Sequence, residues 1–469
     1  MNKASLEKII RNQMRKKQTP GMAISISQYN KTLYAKGFGA RDLKHHKPMT
    51  ADTLIGIGSV TKSFTAFALM QLQEMGKLSI DDSAAQYLNA EPFSSRPDIT
   101  LKHMLCHTTG IPAMDASMLA FAYAFDDFAT VYPATTRDDF LAHMADAEEF
   151  ILFKPGEAFF YNNDMYTCLG FIIEAVSGLS FEQFIQQHIL DPLEMKRAVF
   201  TQEGMDNDAD QNVMTGYRFA PQASGVNAGK AGALVSDVPI DGHLQAPGGL
   251  YVSMNEMLHY AQCLLNGGDY KGVRLLSQAS VDTLFEGIIS MPYGEGEDPM
   301  YGLGWTNEQA SENTPYIVIQ HGGGMCTSSS FLLLIPELEL AVMVAENAST
   351  GITPLIGRVA VALVQEQVPE EVIEDLRIGK VLKEVLGTYS SQYDMYELKL
   401  SMKGAVLQAD VRTDDGQFSF PLLVDDLEAL EFKAYSLKTG SRGRVKFYRN
   451  AETQKVEFAS YDRFLYKRV

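Results

Sequence analysis

Ser59 and Lys62 stand three residues apart in GIGSVTKSFTAFALMQ, where a glycine-rich stretch runs into an apolar helical pattern. Residues i and i+3 share one face of a helix, so the amine comes within reach of the hydroxyl. The positive end of the helix favours negative charge developing on the serine oxygen. A serine nucleophile needs a neighbouring base and a field that stabilises its alkoxide, and this spacing offers both. S-x-x-K alone is common, and Ser5-Leu6-Glu7-Lys8 repeats it on a surface helix. Ser59 differs in context: two glycines precede it and apolar residues follow Lys62, which predicts a buried central helix. A lysine in such a helix requires a partner or a lowered pKa.

A second group of chemically able residues is Tyr161-Asn162-Asn163 in FKPGEAFFYNNDMYTCLGFIIEAVSG. A tyrosine beside the lysine can act as a phenolate base or a proton shuttle. Asn163 can donate to a substrate carbonyl and accept from Lys62. Y-x-N also recurs at Tyr448-Arg449-Asn450, so here too context has to carry the reading.

Ser59-x-x-Lys62 followed by Tyr161-x-Asn163 resembles the serine β-lactamase and penicillin-binding protein superfamily, nearest its class C β-lactamase branch of D-peptidases and esterases. LCHTTGIP, FKPGEAFFYNNDMY, APGGLYVSMNEMLHYAQCLLNGG and YGLGW are similar to further segments of that family, in its order, over roughly residues 8–366. The resemblance implies a third element, K-T-G or H-x-G, on an edge strand beside the serine. Lys438-Thr439-Gly440 has the letters but lies outside the resembling region, between two short alternating runs. His321-Gly322-Gly323 follows YGLGW, with β-type residues before it and a strand pattern after it. Its place makes His321 the expected element and Lys438 a turn lysine in a hairpin loop. Glycines at 323 and 324 let a substrate backbone approach the strand. By resemblance, the Gly324 and Ser59 N–H groups form an oxyanion hole, and such donors stabilise a tetrahedral intermediate. His321 is expected to orient a substrate carboxylate or help deliver protons, although a neutral imidazole is a weaker carboxylate anchor than lysine.

The elements that must hold these residues are legible in outline. Alternating strand patterns, GMAISISQ and TLYAKGFGA, open the chain, and SFLLLIPE and LAVMVAEN return to strand after a helical middle. Strands at both ends with helices between predict an α+β domain over 1–366, an antiparallel sheet flanked by helices with a helical lobe. Residues 367–385 read as a linker. From 386 to 469, about eight short alternating runs separated by turn residues predict a small antiparallel, lipocalin-like β-barrel. In the family that the chain resembles, some peptidases carry such a barrel, which can gate the cleft or build homo-oligomers. A lipid-binding role is weighed against the tendency of side chains to fill so small a barrel.

Composition narrows the function classes. The 469 residues carry 40 basic and 58 acidic side chains, a net charge of −18, which disfavours nucleic-acid binding. No run reaches the about 18 apolar residues that span a bilayer, so no membrane partner is expected. The four cysteines are far apart, with no C-x-x-C pair. The N-terminus lacks the apolar core of a signal peptide, and a cytoplasmic location is expected. His103 and His107 flank Cys106 at helical spacing but without H-E-x-x-H, so neither metal nor other cofactor is expected. Cys326 reads as a small packed residue, and MDASMLAFAYAFDDFATVYP as core or as a wall of the cleft.

The expected function is therefore acyl transfer through Ser59. Lys62 and Tyr161 would move the proton, with His321, Asn163, Gly323 and Gly324 at the substrate. The substrate is a small peptide, including D-residue peptides; an ester or a β-lactam is the alternative. A non-catalytic scaffold that retained the fold is the other class, and the presence of every motif residue argues against it.

Overall fold

Three strands, Gly21–Gln28, Ser328–Ile335 and Leu340–Glu346, are buried along almost their whole length. The Ile/Ser alternation of the first predicts one wet face. Instead the serine face is covered by helix Met254–Leu265, and Ser25 donates to Asn255 Oδ1 at 2.8 Å. A buried hydroxyl with a partner avoids the cost of desolvation, which is how a half-polar strand sits at the sheet centre.

These strands lie in a nine-stranded antiparallel sheet of the unit Asn2–Val361. Its order is Ile289–Ser290, Met300–Tyr301, Thr306–Glu308, Val318–Met325, Ser328–Ile335, Leu340–Glu346, Gly21–Gln28, Lys31–Asp42, Lys47–Pro48. The register Met22↔Glu346 through Gln28↔Leu340 joins the start of the chain to a segment over three hundred residues later, as strands at both ends predict. The architecture is the expected α+β domain. The coordinates are a computed structural model, which describes all residues except 115, 117–135, 220–233, 236–241, 293–297, 311–313, 405, 414–415 and 436–441. Most of the Met- and aromatic-rich stretch after Pro112, and the whole Lys438-Thr439-Gly440 tripeptide, lie outside the described residues.

Helix Thr61–Glu74 is buried from Thr61 through Leu72. A helix buried on every side lies inside the core, and its buried polar side chains must find partners there, as Ser63 and Thr65 do on the Val60 and Ala246 carbonyls. Phe64 stacks on Tyr260 with ring centroids 3.9 Å apart, and the helix packs on helix Asn163–Ser177 and the short helix Gln245–Gly248. Among the described residues no single helix is long and apolar enough to cross a membrane. The bent pair Asn163–Ser177 and Phe181–Leu190 has the composition, but Asp164 to Ile173 are buried in the core.

In the second unit, Ala362–Val469, eight antiparallel strands close into a barrel. Closure falls to Gly387–Ser390, which pairs with both Glu397–Lys403 and Phe464–Arg468. Inward positions alternate along each strand, and Tyr389, Leu398, Leu400, Phe432, Val445, Phe447 and Tyr466 fill the interior. The segment 367–385, expected as a linker, is largely helical. It carries helices Pro369–Val372 and Glu374–Val385, and the second buries Val381 and Val385 in the barrel's core cluster. Its apolar residues at helical spacing outweigh the acidic, proline-containing start that reads as linker.

Candidate active site

Ser59 lies in a single 3-10 turn, Gly58–Val60, immediately ahead of helix Thr61–Glu74. The turn is fastened on two sides. Ser328 and Ser330, on one face of their strand, donate to the carbonyls of Gly56 (2.8 Å) and Ile57 (2.6 Å). The Ile57 N–H reaches the Leu250 carbonyl at 3.0 Å. Gly58 has φ +52°, and a Cβ there would come within 2.6 Å of Gly324 N. A Cβ on Gly323 would collide with the Ile57 carbonyl and the Ser330 hydroxyl. Glycine at both positions is what lets the serine turn and strand Val318–Met325 touch; that strand is expected at an edge but lies inside the sheet, paired with Thr306–Glu308 on one side only at Val318–Gln320.

Lys62 is 0% exposed, yet its amine is fully engaged. Nζ lies 2.7 Å from Asn163 Oδ1, 2.9 Å from the Pro247 carbonyl and 3.0 Å from Ser59 Oγ. Burial pulls its pKa well below the usual lysine value, and the Asp164 charge partly opposes the fall. Two of the three neighbours only accept hydrogen bonds; the third, the serine hydroxyl, can donate as well. A neutral amine therefore spends both hydrogens on Asn163 and Pro247, and its lone pair is left facing the Ser59 proton.

Asn162, the middle residue of Tyr161-Asn162-Asn163, caps helix Asn163–Ser177. Its Oδ1 accepts from the N–H groups of Asp164 (2.9 Å) and Met165 (3.3 Å), and its Nδ2 donates to the Ile111 and Pro112 carbonyls. The cap fixes Asn163 at the first helical position, above the lysine. Tyr161 brings its ring over Nζ at 4.9 Å, and Tyr166 lies at 5.3 Å.

His321 departs from its expected role in orienting a carboxylate. It is 4% exposed, and both ring nitrogens are occupied. Nδ1 lies 2.6 Å from the Gly322 carbonyl, which can only accept, so Nδ1 carries the hydrogen. Nε2 then accepts from the Tyr301 hydroxyl at 2.9 Å. Burial, with the nearby Lys62 charge, holds its pKa at about 3, so the imidazole is neutral and offers no cation to a carboxylate. Gly322 and Gly324 on the same strand are exposed and Gly323 half-buried. The neighbouring strand Thr306–Glu308 pairs only with Val318–Gln320, which leaves the glycine stretch unpaired along that edge among the described residues.

His107, which the sequence offered only as one of two histidines without a metal-binding pattern, belongs to the site. It has φ +61°, is buried, and accepts the Asn162 N–H on Nδ1 at 3.1 Å. Its ring lies against Tyr161 (4.3 Å), Tyr301 (4.9 Å) and Tyr166 (5.2 Å), and its Nε2 has no hydrogen-bond partner among the described residues. His103 instead caps helix Leu101–Leu105 through Thr100, so the two imidazoles serve separate elements. Tyr301 and Tyr166, which join His321 to this cluster, are buried and held protonated by burial. Tyr301 and Tyr166 had a cue only as members of the segments YGLGW and FKPGEAFFYNNDMY, and Pro247 acts through its backbone carbonyl, which no residue letter announces. Cys326 is half-buried, and burial raises its thiol pKa, so it is no thiolate.

Two neutral buried histidines set an acid limit on stability. His321 has its pKa depressed to about 3, and burial depresses that of His107 well below its ordinary value. Unfolded, each would take up a proton near pH 6.5. The stability tied to their neutral forms is thus complete above pH ~6.5 and is lost as pH falls, at about 1.4 kcal/mol per pH unit per histidine. His103 and His188 shift in the same direction. Denaturant unfolding measured from pH 7 to pH 4.5 is expected to show this fall, and His321→Gln is expected to reduce its slope.

The site can be set beside known proteins. The Beta-lactamase family model matches residues 6–365, and the model of the Pab87 octamerisation domain matches residues 369–467. The octameric penicillin-binding protein homologue from Pyrococcus abyssi superposes with a TM-score of 0.86 at 30% identity, covering 99% of this chain and 100% of that one. A D-amino acid amidase from Ochrobactrum anthropi SV3 shares the fold at 18% identity, with a TM-score of 0.62 over 78% of this chain and 99% of that one. Protein flp of Staphylococcus aureus (strain MW2) is 26% identical over 394 residues, 83% of this chain and 70% of that protein.

Proposed function

The chain belongs to the beta-lactamase family, and on that premise we propose that it is a serine hydrolase that forms an acyl-enzyme on Ser59. The observation that carries the proposal is the Lys62 amine, held by two acceptor-only groups so that its remaining position faces Ser59 Oγ at 3.0 Å. Ser59 Oγ attacks the substrate carbonyl carbon, an O–C bond forms, and the hydroxyl proton passes to Lys62, with Tyr161 alongside. The Ser59 and Gly324 N–H groups take the oxyanion, a role that the close approach of Gly58 to Gly324 supports. As the intermediate collapses, the bond to the leaving group breaks and that group receives the proton. Water then attacks the ester carbon, gives up a proton by the same route and releases Ser59.

The open edge at Gly322–Gly324 supports a peptide substrate. An extended backbone can add to an exposed strand edge by main-chain hydrogen bonds, which a simple ester lacks. We place small peptides first, including those with D residues. The test is intact-protein mass spectrometry after incubation with a fluorophosphonate or a penicillin, followed by a library of L- and D-peptides and esters. A single adduct on Ser59 and turnover of peptides over esters is the expected result. A folded protein with no Ser59 adduct would leave the non-catalytic scaffold as the reading.

The C-terminal barrel is proposed to build a homo-oligomer. The Pyrococcus abyssi homologue is octameric, and the likeness to it, 30% identity over 99% of this chain, includes the barrel. Light scattering on the full chain is expected to give eight chain masses, and removal of residues 369–469 is expected to give a smaller assembly. A monomeric full chain would overturn this part.

A further inference from the structure

Asp164 follows the lysine's partner Asn163 and is 0% exposed. Its two oxygens accept backbone N–H groups from a separate segment, Oδ2 from Met114 and Oδ1 from Ala116, each at 3.1 Å. That segment continues the loop of His107, and the Asn162 side chain holds it two residues earlier through the Ile111 and Pro112 carbonyls. Asp164 also stands in the first turn of helix Asn163–Ser177, where the helix end carries partial positive charge. A buried carboxylate with two backbone donors and a helix end behind it persists as an anion at the edge of the lysine site.

We infer that Asp164 is a positioning residue: its carboxylate ties Met114 and Ala116 to the start of the Asn163 helix and places a negative charge beside the lysine that receives the Ser59 proton. The inference rests on the acyl-transfer reading of Ser59 and deepens it. Among the described residues, the titratable neighbours of Lys62 are Asp164, Tyr161, Tyr166, His107 and His321. The two histidines are neutral and Tyr166 is held protonated, so among these four Asp164 is the standing charge. On its own helix Asp164 faces Cys168, whose thiol it helps keep protonated, with Arg137 beyond. His143 holds the same segment from the other side, its Nε2 3.0 Å from the Met114 carbonyl.

The sign follows from charge. A negative group beside an amine favours the ammonium, so it opposes the fall that burial imposes on Lys62. In Asp164→Asn one oxygen acceptor remains for the segment while the charge is gone, and the neutral amine forms at lower pH. The measurement is the rate of fluorophosphonate labelling of Ser59 in the full-length protein, against pH. In this reaction the Ser59 O–P bond forms as P–F breaks, and the serine proton goes to the base. In Asp164→Asn the acid limb is expected to move down by about one pH unit. Met114→Pro tests the same charge without touching the carboxylate. It removes one N–H donor, leaves the anion less satisfied, and is expected to move the limb up. A lower rate with an unmoved limb in folded Asp164→Asn would reduce Asp164 to a structural anchor. If that variant does not fold, Asp164→Ser, which also removes the charge and keeps a short acceptor, is measured in its place, and an unmoved limb there has the same force. Wild-type protein with no Ser59 adduct would instead overturn the acyl-enzyme reading itself.

Discussion

Ser59→Ala is expected to lower turnover of any accepted substrate by about 10⁶-fold, the order of loss seen when a hydrolase loses its nucleophile. The change should leave the fold in place. The methyl group stays in the 3-10 turn, and the contacts that fix the turn all run through backbone carbonyls: Gly56 to Ser328, Ile57 to Ser330. What changes is the lysine. Nζ keeps Asn163 and Pro247 but loses the hydroxyl at 3.0 Å, so in the ammonium form one N–H would point at a methyl group. An unsatisfied charged donor in a buried site is costly, and the variant should hold Lys62 neutral to a lower pH than wild type. Substrate should still bind along the glycine edge, because Gly322–Gly324 offer backbone rather than side chains. Turnover lost with binding retained separates a missing nucleophile from a damaged cleft. Turnover within about tenfold of wild type, in protein shown to be folded, would remove Ser59 from the chemistry.

The site was legible in sequence where chemistry depends on residue type and short spacing. Ser59 and Lys62 share a helix face, and Tyr161 and Asn163 sit at a helix start; the structure brings both groups to one amine. His321 was picked over Lys438 by its place between two strand patterns. It lies on strand Val318–Met325, within the unit that contains Ser59, whereas the residues either side of Lys438-Thr439-Gly440 belong to paired barrel strands of the other unit. The role of His321 was not legible. It depends on Tyr301, two strands away in the sheet, whose hydroxyl occupies the nitrogen that a carboxylate would need. Asp164 was hidden for the same reason. It accepts backbone N–H groups of Met114 and Ala116, which no residue letter announces. In the fold, the barrel strands announced themselves by period-two alternation. Helix Glu374–Val385 did not, because its start is acidic and its buried residues cluster at its end.

Lys62→Met is the change that decides which group takes the proton. Methionine fills the buried channel with an unbranched chain and no charge. It leaves Asn163 Oδ1 and the Pro247 carbonyl without their donor, at roughly 1–3 kcal/mol for each buried acceptor. That cost is offset in part because a buried amine no longer has to be desolvated. The variant should therefore fold, while acylation of Ser59 falls by about 10⁴-fold, the upper range for loss of a general base. The remaining slow labelling carries the information. In wild type the acid limb of the labelling rate reports the group that must lose its proton before Ser59 can. If that group is Lys62, the limb disappears with the side chain, and the residual rate is flat between pH 5 and pH 8 apart from the hydroxide-dependent rise. If the limb survives in Lys62→Met, the base is the tyrosine that lies over Nζ, and the lysine acts as the cation that makes a Tyr161 phenolate affordable. The geometry favours the first outcome. Tyr161 presents its ring face to the amine, whereas the serine hydroxyl lies on the one side of Nζ that no obligate acceptor occupies.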